Sequence, residues 1–259
     1  MQASNEKIKT VLQYGYDFQT GEYFSNGWEI FKKGFWSFAG FTVVFLSIQF
    51  GLALIPLIGA IGSFLLSAPL SAGYYLLADR IARRESTEFN TFFKGFDYFG
   101  PLVIQSMIQT LMLFILGGPF LFLAVFAYFR QENLLDTDFG LEMLDSNLFV
   151  SPMFWTIIFL IPLIYLSIAW RWAPLLIIFY SMRPLQALET SRKLITRKWF
   201  LFLVFYLITG ILIMSGVLLF FVGILFTVSF LYCADYAAFA HITQLGQEAE
   251  EDVSEHLVV

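Results

Sequence analysis

The stretch 35–78, FWSFAGFTVVFLSIQFGLALIPLIGAIGSFLLSAPLSAGYYLLA, contains no Asp, Glu, Lys or Arg. Its 44 residues, wound as one helix at 1.5 Å each, would extend about 66 Å, roughly twice the ~30 Å hydrocarbon core of a bilayer. Such a run is too long and too apolar for the core of a soluble domain, so the chain must cross a membrane twice here. Pro56 falls near the middle and divides the run into a helix of about Phe35–Ile55 and a second of about Leu57–Asp79.

Further charge-poor stretches follow at Tyr98–Phe129, Ser146–Trp170 and Trp199–Ala234. With 58% hydrophobic and 14% charged residues and a mean hydropathy of +0.73, the chain has too few charges to coat a soluble fold. Backbone polar groups in lipid must be satisfied within their own segment, and unbroken apolar runs are unlike the alternating strands of a barrel. The fold class is therefore all-α and polytopic. The polar start, with Lys7 and Lys9 and no short apolar core before a small-residue cleavage site, predicts no cleaved signal peptide. Cys233, the one cysteine, falls inside a span and has no thiol neighbour with which to bind a metal or form a disulfide. The net charge of −5, with basic residues dispersed along membrane edges, gives no nucleic-acid surface.

The chain threads as six helices in three hairpins. The third span covers about Tyr98–Phe129 with a kink at Gly117, Gly118 and Pro119. The fourth runs from near Pro152 to about Met182, interrupted by Pro162, Arg171 and Pro174. The last stretch, Trp199 to about Thr243, holds two helices joined by a tight turn between Gly216 and Gly223. Of 15 Lys and Arg residues, all but Arg130 and Arg171 fall on one side of this threading, in the groups Lys7–Lys33, Arg80–Lys94 and Arg183–Lys198. The positive-inside bias then makes both termini cytoplasmic and turns the acidic loop Arg130–Asp145 outward. Splitting the third span at Pro119 would reverse the later segments against that bias. The expected organisation is a polar segment at 1–21, a six-helix membrane domain at 22–245 and an acidic tail at 246–259.

Each hairpin is preceded by an amphipathic segment at helical spacing: Phe24, Trp28, Phe31 and Phe35; then Phe89, Phe92, Phe93, Phe96 and Phe99; then Leu185, Leu188, Leu194, Ile195 and Trp199. Their polar faces suit helices lying in the cytoplasmic headgroup layer, with Trp28, Phe31, Phe93, Phe96, Leu188 and Trp199 as interfacial anchors. The first and third units also align locally. Gly62, Tyr75 and Ile81 stand in step with Gly223, Tyr236 and Ile242. Common interfacial anchoring and a repeated unit both account for this pattern.

The segments Gly27-Trp28-Glu29-Ile30-Phe31-Lys32-Lys33, Ala173-Pro174-Leu175-Leu176 and Arg183-Pro184-Leu185-Gln186-Ala187-Leu188-Glu189-Thr190-Ser191 resemble bacterial six-helix membrane proteins. Those proteins are related to the membrane domain of glycerophosphoryl diester phosphodiesterases. The resemblance spans about residues 22–245 and implies architecture. It implies no catalysis, because no soluble segment here is long enough for a phosphodiesterase barrel.

Arg171 and Asp235 are the charges well inside predicted spans, where each costs at least ~2.5 kcal/mol and must face the bundle interior. Counted from the basic helix ends, both reach similar depth. A structural ion pair between the fourth and sixth spans, a substrate or proton site, and snorkelling of Arg171 are the three readings. Gln49, Gln105, Gln109, Ser67, Ser71 and Tyr236 are polar liners that equally suit interhelical hydrogen bonds. The two histidines, His241 and His256, form no catalytic or metal arrangement, and no HExxH, Walker-type loop or GxSxG occurs. The 32 Phe residues suit packing and interfacial belts, and the acidic tail suits solvation or a docking peptide.

No catalytic residue, cofactor or metal is therefore expected; the partners are membrane lipids and a membrane protein. The composition leaves three function classes. A non-enzymatic inner-membrane scaffold for an envelope complex fits best, a small transporter or lipid-handling protein working through Arg171 and Asp235 is the alternative, and a membrane enzyme has least support.

Overall fold

The computed structural model describes residues 2–131, 152–218 and 220–245. The acidic loop and the acidic tail fall outside them, so the expectations for both lie outside the described residues. The elements are α1 (Gln2–Tyr14), α2 (Thr20–Lys33), α3 (Phe35–Ala53), α4 (Ile58–Ala82), a 3-10 segment (Phe89–Tyr98), α5 (Phe99–Gln131), α6 (Pro152–Ala169), α7 (Ala173–Tyr180), α8 (Pro184–Thr196), α9 (Trp199–Leu218) and α10 (Phe220–Thr243). The protein is an all-α polytopic membrane protein, with six helices long and apolar enough to cross a bilayer.

Three hairpins, α3–α4, α5–α6 and α9–α10, share two ends: a turn end and a basic end carrying Arg80, Arg83, Arg84, Arg183 and Lys198. Between α3 and α4, Leu57 takes a positive φ of 64° and closes the reversal around Pro56. Between α9 and α10 the backbones meet at Gly216 and Gly223, where a Cβ on either would strike the facing helix. Any side chain there would push the pair apart, which is why the turn falls between these glycines. α5 continues through Gly117, Gly118 and Pro119 without a helix break.

The fourth span departs from its expected single helix. It divides into α6 and α7 at Trp170–Trp172 because Pro174, in the first turn of α7, cannot extend the helix arriving from α6.

The amphipathic segments also sit differently from a layer of anchors outside the bundle. α2 crosses α10 so closely that a Cβ on Gly27 would lie 2.6 Å from the Ala234 Cα. Phe31 and Leu188, expected as interfacial anchors, are buried in the protein core; their apolar faces find helix neighbours before they find lipid. Phe93, Phe96 and Trp199 are half-buried, and Trp28 stays exposed on the outer face of α2. The 3-10 segment lies against α4, with fully buried Phe92 stacked on Phe41 at 3.9 Å. Within the polar segment 1–21, α1 buries Ile8 and Val11 in the same core. Arg197 donates from its terminal nitrogens to the Val11 and Gln13 carbonyls, at 3.3 Å each, at the α1 C-terminus.

The local alignment of first and third units extends to whole elements. α2, α3 and α4 map onto α8, α9 and α10 at an offset of 161 residues with boundaries agreeing within four residues, and Tyr232 donates to Ser71 across that same spacing. α4 and α10 therefore lie side by side and parallel, and α3 also packs on α10, through Thr42 against Ser229 and Phe35 stacked on Phe226.

Candidate functional site

Pro174 fixes where the site forms. The break it imposes leaves the Ala169 carbonyl and the Trp172 N–H without helical partners, and Ser191 on α8 meets both. Its hydroxyl donates to the Ala169 carbonyl at 2.7 Å and accepts from the Trp172 N–H at 3.2 Å. Buried backbone polar groups are expensive when unpaired, so one serine holds the break open. The break delivers the consecutive side chains of Arg171 and Trp172 to α10.

Both converge on Asp235, which is fully buried. Oδ1 accepts from the Trp172 indole N–H at 2.8 Å and from the Tyr206 hydroxyl at 2.7 Å. Oδ2 accepts from the Tyr75 hydroxyl at 2.8 Å and from Arg171 Nε at 3.2 Å. Two oxygens with about four lone-pair directions thus receive four donors. Those donors come from α4, the α6–α7 break and α9, so the carboxylate of α10 ties three other parts of the bundle to itself.

Asp235 lies fifteen residues from the start of α10 and Tyr75 seventeen from the start of α4. At 1.5 Å per residue the cluster sits about 22–26 Å from the turn end, at the fringe of a ~30 Å hydrocarbon core. That depth reconciles two of the readings made for Arg171. Its Nε belongs to the buried pair, yet 35% of its side chain remains accessible, beside the Tyr232 and Tyr206 rings at 5.7 and 6.0 Å. Among the described residues no acceptor meets its terminal Nη1 and Nη2.

A second carboxylate repeats the arrangement in reverse. Tyr75 on α4 reaches Asp235 on α10, while Tyr236 on α10 reaches Asp79 on α4, donating at 2.7 Å; Arg83 Nε donates to the same Asp79 oxygen at 2.9 Å. Between these clusters and α3 runs a short hydroxyl chain. Tyr74 donates to Thr42 at 2.9 Å, Thr42 and Ser229 share a 2.9 Å bond, and Tyr74 stacks on Tyr232 with ring centres 4.5 Å apart.

The remaining polar liners bond within or between hairpin helices. Ser63 pairs with Gln49, Gln105 donates to Gln109 at 2.7 Å, and Ser67 donates to the Phe64 carbonyl at 2.9 Å. His241 meets the Tyr23 hydroxyl through Nδ1 at 3.2 Å.

The structure thus brings Arg171 and Asp235 together, adds Tyr75, Trp172 and Tyr206, and leaves the anchor residues outside the cluster. Tyr206 had a signal in the sequence: counted from the start of α9 it falls at the same depth as the two charges. Trp172 had none beyond its adjacency to Arg171. Comparison with family models, with curated proteins and with solved structures finds no match to this chain.

Proposed function

We propose that the protein is a non-enzymatic component of a bacterial inner membrane, its N- and C-termini cytoplasmic, that scaffolds or assists an envelope complex. The observation that supports this reading best is the saturation of Asp235. A carboxylate working as a proton relay or substrate ligand needs an acceptor position that a proton, ion or substrate can take. Here all four are held by protein donors, which describes a staple between helices. The resemblance to the membrane domain of glycerophosphoryl diester phosphodiesterases accords with a membrane body that carries no active site of its own.

The alternative, a small transporter or lipid-handling protein, draws on the accessible part of the Arg171 side chain. One pair of measurements separates the two. Purification of the tagged chain from membranes in mild detergent should recover an identified membrane protein in stoichiometric amount, and Asp235→Asn should reduce that recovery only as far as it reduces folded protein. Flux of solute or lipid through proteoliposomes of the pure chain, abolished by Asp235→Asn while the helical content is retained, would overturn the scaffold reading.

A further inference from the structure

The basic end carries a cleft of about 780 Å³, apart from the Asp235 cluster and bordered by Arg83 and Tyr236 of the Asp79 one. One face of α2 forms its first wall, with Asn26, Glu29, Ile30 and Lys33 at helical spacing. The C-terminal end of α4 (Ala82, Arg83 and Arg84) forms the second, and the side of α10 from Tyr236 to His241 forms the third. Its volume lies in the range of small-ligand sites.

The charges in this cleft are unevenly satisfied. Arg83 is committed to Asp79 at 2.9 Å, and the same Asp79 oxygen is held by buried Tyr236. Glu29, the carboxylate in the wall, faces Lys32 at 3.7 Å. Lys33 and Arg84 have no ion-pair partner among the described residues. Arg84 is held with φ at 58°, a left-handed conformation that a non-glycine residue adopts at a cost. His241 engages Tyr23 through Nδ1, and among the described residues its Nε2 has no hydrogen-bond partner. Three helices end near this cleft with their carbonyl ends, which favour nearby cations and by themselves disfavour an anion, so an anion here would be held by the basic side chains and not by the helix ends.

Apolar side chains complete the lining. Ile30, Ala237, Ala240 and Leu245 stand beside the polar groups. A cationic cleft with an apolar wall, at the headgroup level of a membrane protein, matches an anionic phosphate carried on a lipid. We propose that this cleft binds a phosphate group, supplied by the headgroup of an anionic phospholipid, with Lys33 and Arg84 as its ligands and Asn26 and His241 as further hydrogen-bonding partners. The chemistry is shared by free phosphate; the apolar wall favours the lipid.

The test uses the full chain, purified in mild detergent and reconstituted into nanodiscs of phosphatidylcholine with or without phosphatidylglycerol. Native mass spectrometry should show phosphatidylglycerol retained by the wild-type protein, with retention falling more than about ten-fold in Lys33→Gln/Arg84→Gln. Ala240→Phe, which fills the cleft and leaves the charges in place, should have the same effect. Arg192→Gln, at a basic residue outside the cleft, should leave retention unchanged. Inorganic phosphate provides the second arm. If it raises the unfolding temperature of wild type but of neither cleft variant, and lipid retention is equal in all, the site holds and its source is soluble phosphate. If folded cleft variants, checked by helical circular dichroism and gel filtration, match wild type in both arms, the proposal is overturned. Should the double charge variant not fold, Ala240→Phe decides alone.

Discussion

The two ends of the bundle are built differently. At the basic end, Phe38 and Phe41 of α3, Leu70–Ile81 of α4, Leu102 and Val103 of α5, Phe202 and Phe205 of α9 and Cys233–Ile242 of α10 supply most of the large buried side chains. Towards the turn end, Phe50, Leu54, Ile58, Leu111, Phe114, Ile211 and Met214 are exposed on the protein surface. Contacts there hold each hairpin to itself: Ser63 to Gln49, Gly117 to Leu163, Gly216 to Thr227. In lipid an exposed Leu is already solvated by hydrocarbon, so apolar burial gives little drive to close the turn end. Aromatic packing and hydrogen-bonded polar groups do unite the basic end, and there the amphipathic segments add further surface.

This contrast predicts unequal losses. Phe92→Ala, which empties a ring site between α3, α4 and the 3-10 segment, should cost about 3–5 kcal/mol. Leu111→Ala, on the exposed surface of α5, should change stability by less than about 0.5 kcal/mol. Unfolding in detergent with a denaturant series measures both, and comparable losses would erase the distinction between the ends.

Within the basic end, Asp235 and Arg171 should also differ. Asp235→Ala strands Tyr75, Trp172 and Tyr206 together with Arg171, and should cost about 3 kcal/mol. Arg171→Ala leaves the carboxylate with three donors and should cost about 1–2 kcal/mol. The double variant should resemble Asp235→Ala alone, because the aspartate is the shared acceptor; strict additivity in the same assay would dissolve the cluster into independent bonds.

Much of this was legible in the sequence, and the limits have physical causes. Unbroken apolar runs report membrane spans directly, and Pro56, Gly216 and Gly223 marked two of the turns because backbone reversal demands special residues. Arg171 and Asp235 stood out because charge in a span is costly. Tyr75, Trp172 and Tyr206 could not be assigned to the carboxylate, although Tyr75 stood in the repeat and Tyr206 at the right depth, since an aromatic residue in a membrane helix reads the same whether its polar atom faces a carboxylate or the interface. Phe31 and Leu188 were misplaced for a related reason: an amphipathic stripe shows which face is apolar and cannot say whether lipid or another helix covers it. Ser191 was equally silent, because its role exists only once Pro174 has broken the fourth span.

Ser191→Ala tests that last dependence and should cost about 1–2 kcal/mol, by freeing the Ala169 carbonyl and the Trp172 N–H at once. It should also loosen Trp172 from Asp235, visible as a shift in tryptophan fluorescence. Ser191→Thr retains the hydroxyl and should recover much of the loss; a Thr variant no better than Ala would show that shape alone matters at this position.

The smallest effect belongs to the exposed surface of α8. Glu189 receives hydrogen bonds from Arg192 at 2.8 and 2.9 Å, and these hold its carboxyl below the ordinary glutamate range. A carboxylate whose folded pKa is depressed stabilises the fold above its unfolded value, about pH 4.3, and loses that contribution as the pH falls through the lower folded value. The groups are solvent-exposed and screened, so the whole contribution should stay under about 0.5 kcal/mol. Glu189→Gln should therefore lower stability slightly at pH 7, and the difference from wild type should shrink as the pH falls below about 4.3, vanish below the lower folded value, and shrink in high salt. A loss above about 1 kcal/mol that survived both acid and salt would place Glu189 in a buried network and move the boundary between packed core and solvated surface outward across α8.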